Sequence, residues 1–382
     1  WQEEGVGHAV RAAYLYSGMS DVAALTGNAE YLDAIDRIWD NIVNKKLYLI
    51  GGIGATRQGE AFGDNYQLPN DSSYNETCAA IANILWNQRM FLLKGDACYI
   101  DVLERALYNN MLAGVSLKGD TFFYPNVLEF DGKATFNYGV AGRSEWFNCS
   151  CCPSNVSRFI PSLPGYVYST GDNAVYVNLY LGNEADMQLG DIDLKLRQDT
   201  SYPWSGSVRI TVNPNKAADF SIKLRIPGWV EGRPVPGDLY RFADQAGGSF
   251  KASVNGEPVS SRTSKGYLTI TRKWTGGDTI LLDLPMPARI VKAHPMVDAD
   301  AGRIAVQRGP LVYCAEGIDN QGQALSLTLA EKPEFSESFL RDTLQGVLFL
   351  ASGSGNRKVT LVPYYAWANR EIGEMKVWFP VE

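Results

Sequence analysis

Histidine is almost absent from this 382-residue chain: there are two, His8 and His294. A mechanism that needs adjacent imidazoles must bring both together or be abandoned. Hydrophobic runs are short as well, and none reaches the roughly 18 apolar residues that mark a membrane-spanning helix. No basic block occurs. With 35 Lys plus Arg against 42 Asp plus Glu the net charge is −7, which leaves no electrostatic footprint for nucleic acid or an anionic membrane. Six cysteines do not make a dense disulfide scaffold at this length. An initiator Met, a signal-peptide core and transit-peptide character are missing too: the chain opens Trp1-Gln2-Glu3-Glu4 and passes at once into a helical pattern. It reads as a segment entered partway through a domain. Its compartment stays open, with a bacterial cytoplasmic or periplasmic protein expected.

What is present is an ordinary globular composition, 45% hydrophobic and 20% charged, long enough for two or three domains. Residues 1–165 read helical. Asn28 caps a stretch in which Leu32, Ile35, Ile38, Trp39 and Ile42 follow the 3.6-residue period, and a second helix after Asp96 aligns Ile100, Leu103, Leu107 and Met111. These two stretches match each other. Residues 27–41 and 95–109, offset by 68, share Gly, Ala, Tyr, Asp, Arg and Asn at six of fifteen positions. A repeat of that length corresponds to about two helical hairpins and points to a toroid or solenoid. Only four or five long helices fit, half of what a closed ring needs, so an incomplete ring with an exposed apolar edge is expected.

Beyond residue 171 the period changes to two. Val175–Leu179, Ser207–Val212 and Phe220–Ile226 alternate, with turns at Pro227-Gly228 and Asn255-Gly256. Further strands are predicted at 267–272, 279–284, 303–314, 345–350, 358–363 and 375–380. Their number suggests two β-sandwich modules, 171–286 and 287–382, following a helical domain at 1–170.

Three constellations could carry chemistry. Gly59-Glu60-Ala61-Phe62-Gly63 places a carboxylate in an irregular loop, where solvation is the commonest fate. The preceding Gly51-Gly52-Ile53-Gly54 is no dinucleotide fingerprint, since Arg57 stands where the third Gly belongs. Ser73 and Glu76 have capping-box spacing ahead of a helix over 79–93. The other role open to Glu76 is metal ligation with Cys78. Residues i and i+2 of a regular helix point about 200° apart, so that role needs an irregular first turn. Asn148-Cys149-Ser150-Cys151-Cys152-Pro153 sets three thiols in four residues, a soft donor set that favours zinc. The spacing is not that of a zinc ribbon, so zinc must borrow Cys78 and a carboxylate; a purely structural zinc is equally open. Asn-x-Ser/Thr triplets at Asn70, Asn75, Asn148 and Asn155 crowd the same motifs and are read as chance.

Together, Gly7-His8-Ala9-Val10-Arg11-Ala12, Gly59–Gly63, Leu68-Pro69-Asn70, Tyr74-Asn75-Glu76-Thr77-Cys78-Ala79, Phe123-Tyr124-Pro125-Asn126, the Cys149–Pro153 cluster and Leu224-Arg225-Ile226-Pro227-Gly228-Trp229 resemble the β-L-arabinofuranosidase family, glycoside hydrolase family 127. The resemblance implies an (α/α)6 barrel, here its C-terminal part, followed by β-sandwiches. It implies a retaining hydrolase with Zn2+ held by Glu76, Cys78, Cys151 and Cys152. Cys151 would be the nucleophile, Glu60 the acid/base, and His8 and Tyr124 would bind the sugar, leaving Cys149 outside the ligand set. The partner would be an arabinofuranose-containing glycan; neither nucleic acid nor membrane is expected, and a homodimer is allowed. Two other readings stay open: a sugar epimerase or lyase on the same toroid, and a non-catalytic carbohydrate-binding protein with structural zinc.

Overall fold

In the computed structural model, Gly27 and Gly95 occupy equivalent joints. Each adopts left-handed backbone (φ 65° and 64°) and closes a helix, Gly27 N–H donating to Ala23 O and Gly95 N–H to Phe91 O. The following residue opens the next helix: Asn28 accepts from the Glu30 and Tyr31 N–H groups, Asp96 from that of Cys98. Helix α1 (Ala9–Thr26) thus turns into α2 (Ala29–Lys45), and α3 (Thr77–Lys94) into α4 (Ala97–Arg105). The repeat therefore exists in three dimensions, but each copy carries one hairpin, not two, and residues 46–76 complete the first as a largely irregular connection. The structure describes residues 2–171, 173–244, 247–354 and 357–382, so Trp1 of the fragment-like opening lies outside them.

Helix α3 is buried almost all round, which is why its sequence shows no amphipathic stripe. It packs against α1, whose inward residues Ala9, Ala12, Ala13, Ser17, Ser20 and Ala23 are small, while the one large inward side chain, Tyr16, packs its ring 5.0 Å from that of Trp86. The opposite face of α1 leaves Leu15, Val22 and Leu25 exposed, Leu25 at 87%. The stripe Ile100, Leu103, Leu107, Met111 is buried as expected. The helix widens midway, however, into a π-helical turn over Ala106–Met111. There Asn109 Nδ2 donates to both Arg105 O and Pro310 O, so a side chain competes with the regular helical ladder. A short helix α5 (Cys151–Phe159) follows near the end of the helical region.

Two sheets follow. One has five strands, centred on Ala218–Arg225 and Tyr267–Trp274; the other has six, centred on Ser207–Pro214 and Asp278–Asp283. Strict alternation buries Ile192, Leu194 and Leu196 of one sheet in the same core as Phe220, Ile222 and Leu224 of the other. The last region is less self-contained than its sequence suggests. Its ten-stranded sheet takes in Glu129–Asp131 from the helical region, paired with Glu374–Lys376, and Tyr240–Phe242 from the middle region, paired with Ala288–Ala293. The pattern near Pro285–Ala288 marks a change of sheet in the sequence, not a seam in hydrogen bonding.

Arg225 explains one of the quoted motifs. Its side chain is fully buried: Nη1 donates to Asp101 Oδ1 at 2.7 Å, Nη2 to Glu104 Oε1, and Nε to Asn178 O at 2.6 Å. Glu104 also accepts from the Tyr202 hydroxyl and Trp229 Nε1. A buried guanidinium with every partner supplied fixes α4 against the middle sheets, and with it the helices that carry the site.

Candidate active site

Glu60 sits at the tip of a tight loop. Ala61 pairs with Thr56 across the loop and with His8 on its other side, and Glu60 itself is left-handed at φ 50°. A non-glycine residue there costs roughly 1–2 kcal/mol, so the surrounding bridges hold it in place. Its carboxylate is not a solvated loop charge. Oε2 lies 2.9 Å from His8 Nε2, while Oε1 accepts from the Tyr74 hydroxyl at 2.9 Å and the Tyr138 hydroxyl at 3.0 Å. The two phenols are 2.7 Å apart. His8 Nδ1 is buried and has no partner among the described residues.

The capping box does not form. Ser73 Oγ donates to Asn70 O and Asn126 O, and Glu76 makes no side-chain cap. Glu76 instead occupies the N-cap position with extended backbone (φ −54°, ψ 138°), while Cys78 lies in the first turn of α3. That break in helical geometry turns two residues two apart towards one point. Asn75 just before them is left-handed and fully buried. A side chain at Gly52 would come within 2.5 Å of its Oδ1, which accounts for that glycine. Thr77 N–H and Oγ1 donate to Tyr124 O and Phe123 O, fastening the start of α3 to the segment that carries Tyr124.

Cys151 and Cys152 open α5, where the helix N-terminus favours negative charge. Glu76 Oε1 stands 3.5 Å from both Sγ atoms, which are 3.9 Å from each other. One donor atom from each of Glu76, Cys78, Cys151 and Cys152 lies within 4.8 Å of all the others, and the same holds for His8, Glu60 and Glu76. Glu76 thus belongs to both groups. The Tyr124 hydroxyl is 2.9 Å from Cys151 Sγ. Hydrogen bonds from Cys152, Cys78 and Tyr124 pull the Cys151 thiol well below its ordinary range; with that sulfur ionised, the phenol is the donor. Burial raises Cys152, and the bond to Cys151 raises Cys78. Glu76 is pushed up to about 9 by burial, then by Cys151 and Glu60. This many acidic groups so close together cannot all be charged without a compensating cation.

The donor chemistry fits one. Glu76 is 2% exposed and its Oε2 is buried without a partner among the described residues, and three thiols with one carboxylate make a four-donor set of the soft character that suits zinc. Cys149 is exposed and outside the set, its Sγ 4.0 Å from the Tyr124 hydroxyl. His294 does not join His8: it stacks on Tyr66 and accepts from the Met296 N–H. Among the triplets, Asn70, Asn75 and Asn155 are buried, which bars a glycan at those three.

Sequence reasoning missed Tyr138 and the part played by Tyr74. Tyr138 is half exposed at 47% and left-handed at φ 51°. Its loop is held by Asn137, which accepts from Tyr124 N–H and donates to Phe122 O and Gly142 O. Its ring packs 4.6 Å from that of Tyr124, so one aromatic wall joins Glu60 to Cys151. Asn137-Tyr138-Gly139 reads as a turn, but composition does not say which way a turn residue faces.

Comparison with known proteins bears on this arrangement directly. Residues 1–165 match the profile described as the β-L-arabinofuranosidase, GH127 catalytic domain; residues 174–286 match its middle domain and 288–380 the family's C-terminal domain. The chain belongs to glycoside hydrolase family 127. It is 36% identical to the non-reducing end β-L-arabinofuranosidase of Bifidobacterium longum over 99% of its length, spanning 60% of that relative. A solved structure described as a GH127 β-arabinofuranosidase is 52% identical with a TM-score of 0.95, matching all of this chain and 61% of that one. A GH127 β-L-arabinofuranosidase from Geobacillus stearothermophilus T6 is 38% identical with a TM-score of 0.91, again over all of this chain and 61% of its own. The chain thus spans about three-fifths of the length of these relatives.

Proposed function

We propose that the protein is a retaining β-L-arabinofuranosidase, with Cys151 as nucleophile and Glu60 as acid/base. Residues 1–170 would be the second half of an (α/α)6 barrel, with β-sandwich modules at 171–286 and 287–382. The observation that carries this reading is that the Cys151 sulfur and the hydrogen-bonded Glu60 carboxylate flank the same residue, Glu76. Two groups acting on one glycosidic bond require that kind of proximity.

Zn2+ held by Glu76, Cys78, Cys151 and Cys152 would supply the positive charge that keeps neighbouring thiols ionised at neutral pH. The Cys151 sulfur attacks the anomeric carbon as the glycosidic C–O bond breaks, and Glu60 gives its proton to the departing oxygen. Glu60 then takes a proton from water, which displaces Cys151 and releases the sugar with retained configuration. Tyr124 steadies the charge on Cys151, and His8, whose Nε2 faces Glu60 Oε2, would orient that carboxylate beside the sugar. The epimerase reading loses support because His294 lies away from His8, and the purely structural-zinc reading leaves the three contacts of Glu60 without a purpose.

The test is hydrolysis of p-nitrophenyl β-L-arabinofuranoside by the full-length protein, with the α-anomer as control; failure on the β-anomer by metal-replete enzyme overturns the reading. Metal analysis of protein purified without added zinc should find one zinc per chain, reduced in Cys78→Ser and Cys152→Ser. Unchanged zinc in both variants removes the ligand assignment. Tyr138→Phe deletes one of two phenols on Glu60 Oε1 and should slow turnover of a poor leaving group by roughly tenfold at unchanged zinc content. Full activity in that variant would reduce Tyr138 to a wall of the pocket.

A further inference from the structure

A second cleft, about 450 Å³, lies where the C-terminal end of α3 meets the outer face of the five-stranded sheet. Its floor is a row set by strand register: Ser169 opposite Tyr176, Tyr176 opposite Lys223, and Lys223 opposite Thr269. Three lysines line it, Lys94, Lys223 and Lys265, and among the described residues no Asp or Glu does. Two of them are already engaged: Lys94 pairs with Asp36 at 2.6 Å, and Lys265 Nζ donates to Lys94 O at the end of α3. Lys223 is different. It sits mid-strand and half-buried, its Nζ donating to the Tyr176 hydroxyl at 2.7 Å while lying 4.4 Å from that ring's centroid. Among the described residues no carboxylate pairs with it. A partly desolvated ammonium with no counter-charge among the described residues, beside aromatic rings and several hydroxyls, is an arrangement that attracts an anion carrying hydroxyl groups.

We infer that this cleft is a second binding site, separate from the catalytic centre, for the carboxylate of an acidic saccharide. The carboxylate would meet Lys223 and Lys265, whose charges are complementary to it. The sugar hydroxyls would meet the hydroxyls of Ser169 and Thr269, and the ring would lie against Tyr176. The oxyanion site stands on the cleft alone; the choice of a saccharide as carrier rests on the glycoside-hydrolase reading. Such a site would hold an acidic glycan chain on the enzyme without taking part in bond cleavage.

Titration of the full-length protein with digalacturonate, with its carboxyl-reduced neutral counterpart and with inorganic phosphate tests this. Digalacturonate should bind, less tightly as salt is raised, and the neutral counterpart should bind at least tenfold more weakly. Lys223→Gln and, separately, Thr269→Ala should each weaken digalacturonate, Lys223→Gln by roughly tenfold, while both variants keep wild-type hydrolysis of p-nitrophenyl β-L-arabinofuranoside. No binding of digalacturonate, equal binding of the neutral sugar, or wild-type affinity in Lys223→Gln overturns the proposal. Phosphate binding more tightly than digalacturonate overturns the saccharide assignment. Aryl-glycoside hydrolysis by wild type without digalacturonate binding sinks this inference alone; binding without hydrolysis sinks the proposed activity instead.

Discussion

Cys151→Ser should remove turnover of good and poor substrates alike, by roughly 10⁴-fold or more. The argument starts from sulfur. Cys151 stands at the first turn of α5, 2.9 Å from the Tyr124 hydroxyl and 3.5 Å from Glu76 Oε1, and its hydrogen bonds to Cys152 and Cys78 favour the thiolate. A serine hydroxyl in the same place ionises far less readily, so neither the helix terminus nor Tyr124 can make it a comparable nucleophile. The loss should not depend on the leaving group, because no covalent intermediate forms whatever departs. Cys151 is also one of four candidate metal donors, so the comparison belongs at equal zinc occupancy, with folding checked by thermal denaturation. A folded, zinc-loaded Cys151→Ser enzyme with wild-type turnover would end the nucleophile assignment.

The legible and illegible parts of the molecule divide on physical lines. The helical hairpins could be read because Gly27-Asn28 and Gly95-Asp96 encode the same stop and start within a few residues. The alternating strands could be read because one face of each is buried, as along Ser207–Pro214. Glu60, Glu76, Cys78, Cys151 and Cys152 were nameable through residue types and motif resemblance, and the structure brings them together. The π-turn at Ala106–Met111 was not legible, since it depends on Asn109 finding Pro310 about 200 residues later. The same holds for Glu129–Asp131, whose partner strand lies at Glu374–Lys376. The failed capping box teaches a similar lesson. Ser73 and Glu76 have the right local spacing, but Ser73 is claimed by the carbonyls of Asn70 and Asn126 and Glu76 by the thiols. Tyr138 escaped because its value lies in which way a turn faces.

Glu60→Gln should fail in a different way from Cys151→Ser. Glutamine keeps the size of the side chain, and its carbonyl oxygen can still accept from Tyr74 and Tyr138 while its amide faces His8 Nε2. The loop, already held by the pairs of Ala61 with Thr56 and His8, has no reason to move. What is lost is the proton. With a poor leaving group such as an alkyl or sugar alkoxide, departure without protonation should slow the reaction by roughly 10²–10⁴-fold. With p-nitrophenolate the first step needs little protonation, so the defect there should shrink. The second step then becomes limiting, because water must attack without a base. A small anionic nucleophile such as azide needs no base, and adding it should restore turnover of the aryl substrate and yield the glycosyl azide of retained configuration. Zinc content should match wild type, since Glu60 is outside the four-donor group. Equal defects with both leaving groups, together with no rescue by azide, would show that Glu60 is not the acid/base and that His8, Tyr74 and Tyr138 hold it for another purpose.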